Sequence, residues 1–242
     1  MTTFTIKITA LLTMIADHTG FVFGFSTLRY VGRIAFPLYA FLIGEGCRHT
    51  RDIKKYLSRL LIFALISEIP FDLMRSAALR QRVSPASFSD LIDLSAQNIF
   101  FTLFLGASAI AVYLWAKDRL GGIAALFAGL AVMVLFAYTA DFIRSDYGFM
   151  GVIIIAAPFI AGDTLKHQKA GNFVRILATV LCLAGIYISF PRAPQFNFFI
   201  AALVSLPFIL LYGGRKGRPV KWAFYLAYPL HMVILVILWL YL

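Results

Sequence analysis

Apolar residues fall along this chain in long blocks, with the polar residues gathered into short breaks between them. The first block, Ile6 to Phe25, holds about 20 residues. At 1.5 Å of rise per residue, such a helix crosses a hydrocarbon core of roughly 30 Å. The pattern predicts nine spans, at about 5–25, 29–47, 54–74, 98–116, 121–140, 147–162, 173–190, 197–212 and 222–242. The two short ones, the sixth and the eighth, could instead be tilted or partly re-entrant. The expected fold is an all-α membrane protein, a polytopic bundle of about nine transmembrane helices. One integral membrane domain covering 1–242 is the simplest organisation, because the longest polar stretch, Arg75 to Gln97, is too short to build a soluble core.

Composition agrees. The chain is 61% hydrophobic and only 14% charged, with a mean hydropathy of +0.86, which is wrong for a soluble domain. A net charge of +11 therefore does not point to nucleic acid, since basic residues in a membrane protein first serve topology. With the N-terminus inside, fifteen basic residues fall on the inner side: Lys7, then Arg48, Arg51, Lys54, Lys55 and Arg59, then Lys117 and Arg119, then Lys166, Lys169 and Arg175, then Arg215, Lys216, Arg218 and Lys221. Six fall outside, at Arg29, Arg75, Arg80, Arg82, Arg144 and Arg192, and Arg33 lies within a span. This split favours N-in and C-out. An even count would put one of the strongly basic loops, 48–59 or 213–221, on the wrong side. Cys47 and Cys182 are expected to be buried free thiols. No cleavable signal segment is expected, because the first block is too long for a signal core and carries Asp17-His18.

That orientation sets the depth of the polar residues. Asp17, His18, Arg33, Glu68, Asp72, Asn98, Thr102 and Asp146 come to the outer half, His231 to mid-depth and Glu45 to the inner half. Ionisable groups in a span are costly and suggest function. Unsatisfied groups in lipid cost several kcal/mol each, so these should converge inside the bundle. Asp17 and His18 point about 100° apart on a helix, so each needs a partner elsewhere. Arg33, with its always-charged fork, suits Asp17. That pair is either a structural bridge or one that also positions His18, whose imidazole could act as a general base.

Glu68 and Asp72 lie four residues apart on one helix face around Pro70. They either bind a cation or amine or simply end the span. Asn98 and Thr102, one turn apart, could line one cavity. Pro37 would kink the second span midway. Glu45 sits between Gly44 and Gly46, which allow close helix approach, and Arg48 is its nearest candidate partner. Tyr225, Tyr228 and His231 share a face of the last span beside Pro229. His231 there is either a helix–helix hydrogen bond, a second base or a coenzyme contact. The basic loops, Arg48 and Lys55 included, either set topology or also receive a coenzyme's phosphates. The sequence has no P-loop, GxGxxG, HExxH or CxxC, which argues against nucleotide-driven transport and a thiolate metal site. No metal is expected.

The runs IKITALLTMIADHTGFVF, LRYVGRIAFPLYAFLIGEG and RLLIFALISEIPFDL, followed by QNIFFTLFLG, DYGFMGVIII and FYLAYPLHMVIL, resemble the TraX family over nearly the whole chain. Its name comes from a conjugative-plasmid protein implicated in N-acetylation of pilin. It is similar in turn to the acyltransferase-3 and heparan-type acetyltransferase families of membrane enzymes. In that group an intramembrane His acts on an acyl donor entering from the cytoplasm, with the acceptor across the membrane. The resemblance implies that His18 is catalytic with Asp17 and Arg33 beside it. It also implies that Tyr228 and His231 belong to the C-terminal block, and that Glu45, Glu68 and Asp72 belong to blocks found mainly in the chromosomal TraX-like branch.

Residues and resemblance together give an acetyltransferase of the bacterial inner membrane. Acetyl-CoA would dock at the inner face near Glu45, Arg48, Lys55, Tyr228 and His231. The acceptor, a pilin-like protein amine or an envelope component, would meet Glu68, Asp72, Asn98, Thr102 and Asp146. Membrane lipid is the surrounding partner, and self-association stays open. The alternative is a transporter or channel with an intramembrane polar pathway, although no internal repeat supports it.

Overall fold

The computed structural model describes residues 1–79, 95–165, 168–188, 195–218 and 221–242. Among these residues the chain forms eleven helices: α1 (Thr3–Phe23), α2 (Ser26–Gly32), α3 (Ala35–His49), α4 (Ile53–Ala78), α5 (Ile99–Leu120), α6 (Gly122–Phe142), α7 (Gly148–Asp163), α8 (Gln168–Ile188), α9 (Gln195–Leu203), α10 (Ser205–Leu210) and α11 (Lys221–Tyr241). The regular structure over these residues is all helical, and Thr2 and Arg215 form an isolated bridge. By length and composition four helices can cross a membrane, namely Thr3–Phe23, Ile99–Leu120, Gly122–Phe142 and Trp222–Tyr241. Shorter apolar helical stretches lie at Gly148–Asp163, Ala170–Gly185 and Asn197–Leu210.

Two predicted spans are each broken in two. The second divides into α2 and α3 at Arg33-Ile34, and the eighth into α9 and α10 at Val204. Each break falls at or just after the residue four before a proline, at Arg33 for Pro37 and after Leu203 for Pro207. A proline has no N–H for that carbonyl and its ring crowds it. In the first turn of a new helix, where N–H groups have no intrahelical partner, proline costs little. The chain therefore stops and restarts where a mid-span kink at Pro37 was expected. Pro70, Pro158 and Pro229 lie inside helices that continue past them.

Contacts divide the chain into two compact units: Met1–Tyr39 with Phe63–Asn98 and Asn197–Leu242, and Ala40–Ile62 with Ile99–Phe196. In the first unit α1 opens on an N-cap at Thr2, whose hydroxyl accepts from Thr5 N at 3.1 Å. It closes on Gly24, whose φ of 79° lies in the left-handed region glycine favours. The chain then turns back so that α2 packs on α1, and α11 packs on α1 as well. Ile6, Ala10, Met14, Leu38, Ala64, Met74, Tyr228 and Met232 are buried here.

In the second unit α5, α6, α7 and α8 pack in sequence, with α5 also against α7. Small residues, among them Ala107, Ala109, Ala116, Ala125, Ala137, Ala140 and Ala156, are buried along these helices, and small residues are what let apolar helices approach closely. The first turn of α4 is capped by Asp52, whose Oδ1 accepts from Lys55 N at 3.0 Å. That backbone bond holds the Asp52 carboxyl below the usual carboxylate range.

Candidate active site

The two polar neighbours of α1 look in different directions and are held by different helices. Asp17 is clasped by two guanidiniums: its Oδ2 accepts from Arg29 Nη1 at 2.8 Å and its Oδ1 from Arg33 Nη2 at 2.5 Å. Arg33 is the partner expected from the sequence. Arg29, which the charge count placed in an outer loop, instead lies in α2, one turn before Arg33. Arg33 Nε also donates to the Arg29 carbonyl at 3.2 Å, linking the two arginines. Their side chains are 29% and 13% exposed, and that of Asp17 14%, so the carboxylate is largely out of solvent. A group so placed is retained only when paired. Arg29 lies over the Phe21 ring and Arg33 over Phe198, at 5.0 and 5.1 Å from the centroids, which adds cation–π attraction.

Gly32 makes the clasp possible. A Cβ there would come within 2.2 Å of both Cβ and Oδ1 of Asp17, so a side chain at this position would push the carboxylate out. The i, i+4 spacing of Arg29 and Arg33 was the available signal that both face one way.

His18 turns to α11. Its Nδ1 is 2.6 Å from His231 Nε2, and His231 Nδ1 is 2.9 Å from the Ala227 carbonyl oxygen. Tyr228 lies edge-on to both rings, at 6.3 Å from His18 and 5.6 Å from His231. His231 and Tyr228 are buried. These two residues, expected near a coenzyme, are therefore side-chain neighbours of His18, and the expected helix–helix hydrogen bond of His231 is made to His18. Tyr225, on the same face, stacks on Phe63 at 4.9 Å.

The other expected acceptor residues fall into two groups. In the first unit Asn98 Nδ2 donates to Glu68 and, at 2.7 Å, to the Ala64 carbonyl. Asn98 N is 3.3 Å from Glu68 Oε2, and Asp72 is buried. In the second unit the Thr102 hydroxyl is shared between Ser145 Oγ at 2.9 Å and the Asp146 carbonyl at 2.5 Å. There it ties the turn before α7, where Arg144 and Tyr147 have φ of 55° and 62°, an uncommon conformation for a side-chain-bearing residue. Asp146 is exposed in that turn. Asn98 thus bonds within the first unit and Thr102 within the second.

Of the expected inner-face residues, Glu45, Arg48 and Lys55 lie in the second unit, where each pairs with a residue outside that set. Glu45 pairs with Arg175 at 3.5 Å and His49 at 3.3 Å, where Arg48 had been the candidate. Arg48 pairs instead with Asp163 at 3.3 Å, which also receives Lys117 at 2.6 Å and the Tyr113 hydroxyl at 3.1 Å. Arg48 and Arg175 both lie over Phe159, at 5.2 and 5.4 Å. One turn of helix separates Glu45 from His49, while Arg48, three residues on from Glu45, reaches the end of α7. As expected, Gly44 gives close approach, a Cβ there lying 3.0 Å from Phe159. Lys55 is exposed and pairs only at 3.4 Å with Asp52. Lys166 and the side chain of Lys169 lie outside the described residues, as do Arg80, Arg82 and Arg192. Cys47 is buried and Cys182 half-buried, and both are free. Among the described residues no three His, Cys, Asp or Glu side chains converge as a metal would require.

Comparison with known proteins adds the lineage. A family model described as TraX protein matches residues 3–239. A curated relative from Dichelobacter nodosus, "Probable fimbrial assembly protein FimC, serogroup H1", is 30% identical over 250 residues, covering 96% of this chain and 93% of the relative. No solved structure matches. With a family match that runs over almost the whole chain and takes in Asp17, His18, Arg29, Arg33, Tyr228 and His231, this protein belongs to the TraX family.

Proposed function

We propose that this chain is a multi-pass acyltransferase of the bacterial cytoplasmic membrane, with its N-terminus inside and its C-terminus outside. It moves an acetyl group from cytoplasmic acetyl-CoA to an amine or hydroxyl on the outer side. The observation that carries this reading is the ordered polar group in otherwise apolar helices: Asp17 clasped by Arg29 and Arg33, and His18 beside it joined to His231. Placing five ionisable side chains in such surroundings is expensive. A nucleophile-activating base oriented by a further group is a recurrent use of such an arrangement.

In this reading His18 takes the proton of the acceptor as its nitrogen or oxygen attacks the thioester carbonyl carbon. The carbon–sulfur bond breaks, and the departing thiolate receives the proton. The guanidinium of Arg33, fixed by Asp17, supplies positive potential against the charge that builds on the carbonyl oxygen. Glu68, Asp72 and Asn98 receive the acceptor. Lys55, with Arg51 and Lys54 in the same basic segment, meets the phosphates of the coenzyme, while Glu45 and Arg48 hold the helices around them. Membership of the TraX family and the fimbrial-assembly name of the relative support a pilin-like N-terminal amine as acceptor, with an envelope glycan or lipid as the other candidate.

The test is His18→Ala in cells relying on this copy. Mass spectrometry of envelope proteins and glycans should show the acetylated species lost while the variant stays at wild-type level in the membrane. Unchanged acetylation with the variant would overturn the proposal.

A further inference from the structure

The partners of the two imidazoles assign their protons. The Ala227 carbonyl can only accept, so the His231 Nδ1 beside it at 2.9 Å carries hydrogen and donates. A neutral His231 then has its lone pair on Nε2. That atom faces His18 Nδ1 at 2.6 Å, so His18 Nδ1 carries the hydrogen and donates in turn. One nitrogen of His18 is left without a proton, and it is Nε2. The ring planes differ by only 12° with centroids 4.9 Å apart. Two rings meeting edge to edge across so short an N···N contact give this separation, with the hydrogen lying along the lone pair as a strong bond requires.

Asp17, the adjacent carboxylate, does not orient His18 in the way a triad carboxylate would: its two oxygens accept from Arg29 and Arg33, while His18 bonds His231. We infer that His231 is the positioning residue of the site: anchored on the α11 backbone at Ala227, it holds His18 in the tautomer whose bare Nε2 faces the acceptor. This rests on the acyl-transfer reading above and gives it a second residue. During transfer the acceptor's proton moves to His18 Nε2 as its electron pair bonds to the carbonyl carbon, and the carbon–sulfur pair leaves on sulfur. The Nδ1–H of the resulting imidazolium still donates to His231, which spreads the charge without taking the proton. The proton then passes from Nε2 to the thiolate.

Two measurements test it. The first is 15N NMR of histidine-labelled full-length protein in lipid nanodiscs, assigned with His18→Ala and His231→Leu. It should show a protonated Nδ1 and a bare Nε2 on His18, and loss of that single tautomer in His231→Leu. The second is release of coenzyme A thiol from acetyl-CoA with the tripeptide Ala-Gly-Gly as the amine. His231→Leu should lower kcat on the order of 100-fold with the KM for acetyl-CoA unchanged. His231→Gln, whose amide oxygen can accept a hydrogen bond from His18 Nδ1–H, should recover to within about tenfold of wild type. A protonated Nε2 on His18, a wild-type kcat in His231→Leu, or equal losses in the Leu and Gln variants would overturn the inference. If wild-type protein shows the expected tautomer but transfers no acetyl, the pairing stands and acyl transfer is the part that fails.

Discussion

At the scale of single residues, the site turns on a carboxylate that no neutral substitute can replace. Asp17 balances two guanidiniums that share little solvent. Asp17→Asn keeps the shape but leaves two like charges facing an amide. Removing one partner of a buried charge group costs about 3–5 kcal/mol, so the Asn variant should unfold at lower temperature in detergent by a margin that Arg29→Met added to it partly restores. A melting curve indistinguishable from wild type would mean the clasp carries no stability. Half of this group was legible in the sequence. The cost of an unpaired Asp in a span, set beside an always-charged Arg33, was enough to pair them. Arg29 was assigned to a loop because a charge count has no means of seeing the chain fold back after Gly24. The His18–His231 contact joins residues 213 positions apart. Depth from topology brought both toward the outer half and the middle of the bilayer, but hydropathy carries no information on which helix faces which.

At the scale of elements, the useful surprise is the break before Pro37. Periodicity gave one continuous apolar helix there and proline a kink midway, and the structure has two helices with a break between them instead. What the sequence reading missed is that proline tolerated in a helix's first turn converts a kink into a stop and restart. That break places Arg33 at the end of α2, where its side chain meets Asp17. Pro37→Ala restores the missing N–H and favours one continuous helix through Arg33-Ile34, an interior proline costing a helix about 3 kcal/mol. The expected outcome is a protein as stable as wild type or more so, with acetyl transfer lowered because Arg33 leaves Asp17. Circular dichroism, melting and transfer rate measured together check this, and undiminished transfer would count against the break as a functional feature. The inner-face residues show the opposite lesson. Glu45 and Arg48 were expected to pair with each other, but their partners, Arg175 and Asp163, lie on other helices and could not be chosen from loop charge alone.

At the scale of the whole molecule, large apolar side chains such as Leu12, Phe127, Leu135, Phe142, Leu181 and Ile234 are exposed, far more than water tolerates and as lipid-facing helices require. The sequence made this plain, since composition and block length report solvent directly. The orientation proposed from the basic loops can be checked by labelling single cysteines from each side. A cysteine at Lys54 should react with an impermeant maleimide only in inverted membranes, and one at Arg144 only in intact cells without their outer membrane. The reverse pattern would invert the proposed path of the acetyl group. The central claim is tested most directly by a sided transfer assay. Labelled acetyl-CoA is supplied to one face of proteoliposomes of uniform orientation and a pilin-derived peptide with a free N-terminus to the other. The account predicts acetylated peptide when acetyl-CoA meets the face bearing Lys55, and none when the sides are exchanged or His18 is alanine. No transfer in either arrangement, or transfer that survives His18→Ala, would contradict it.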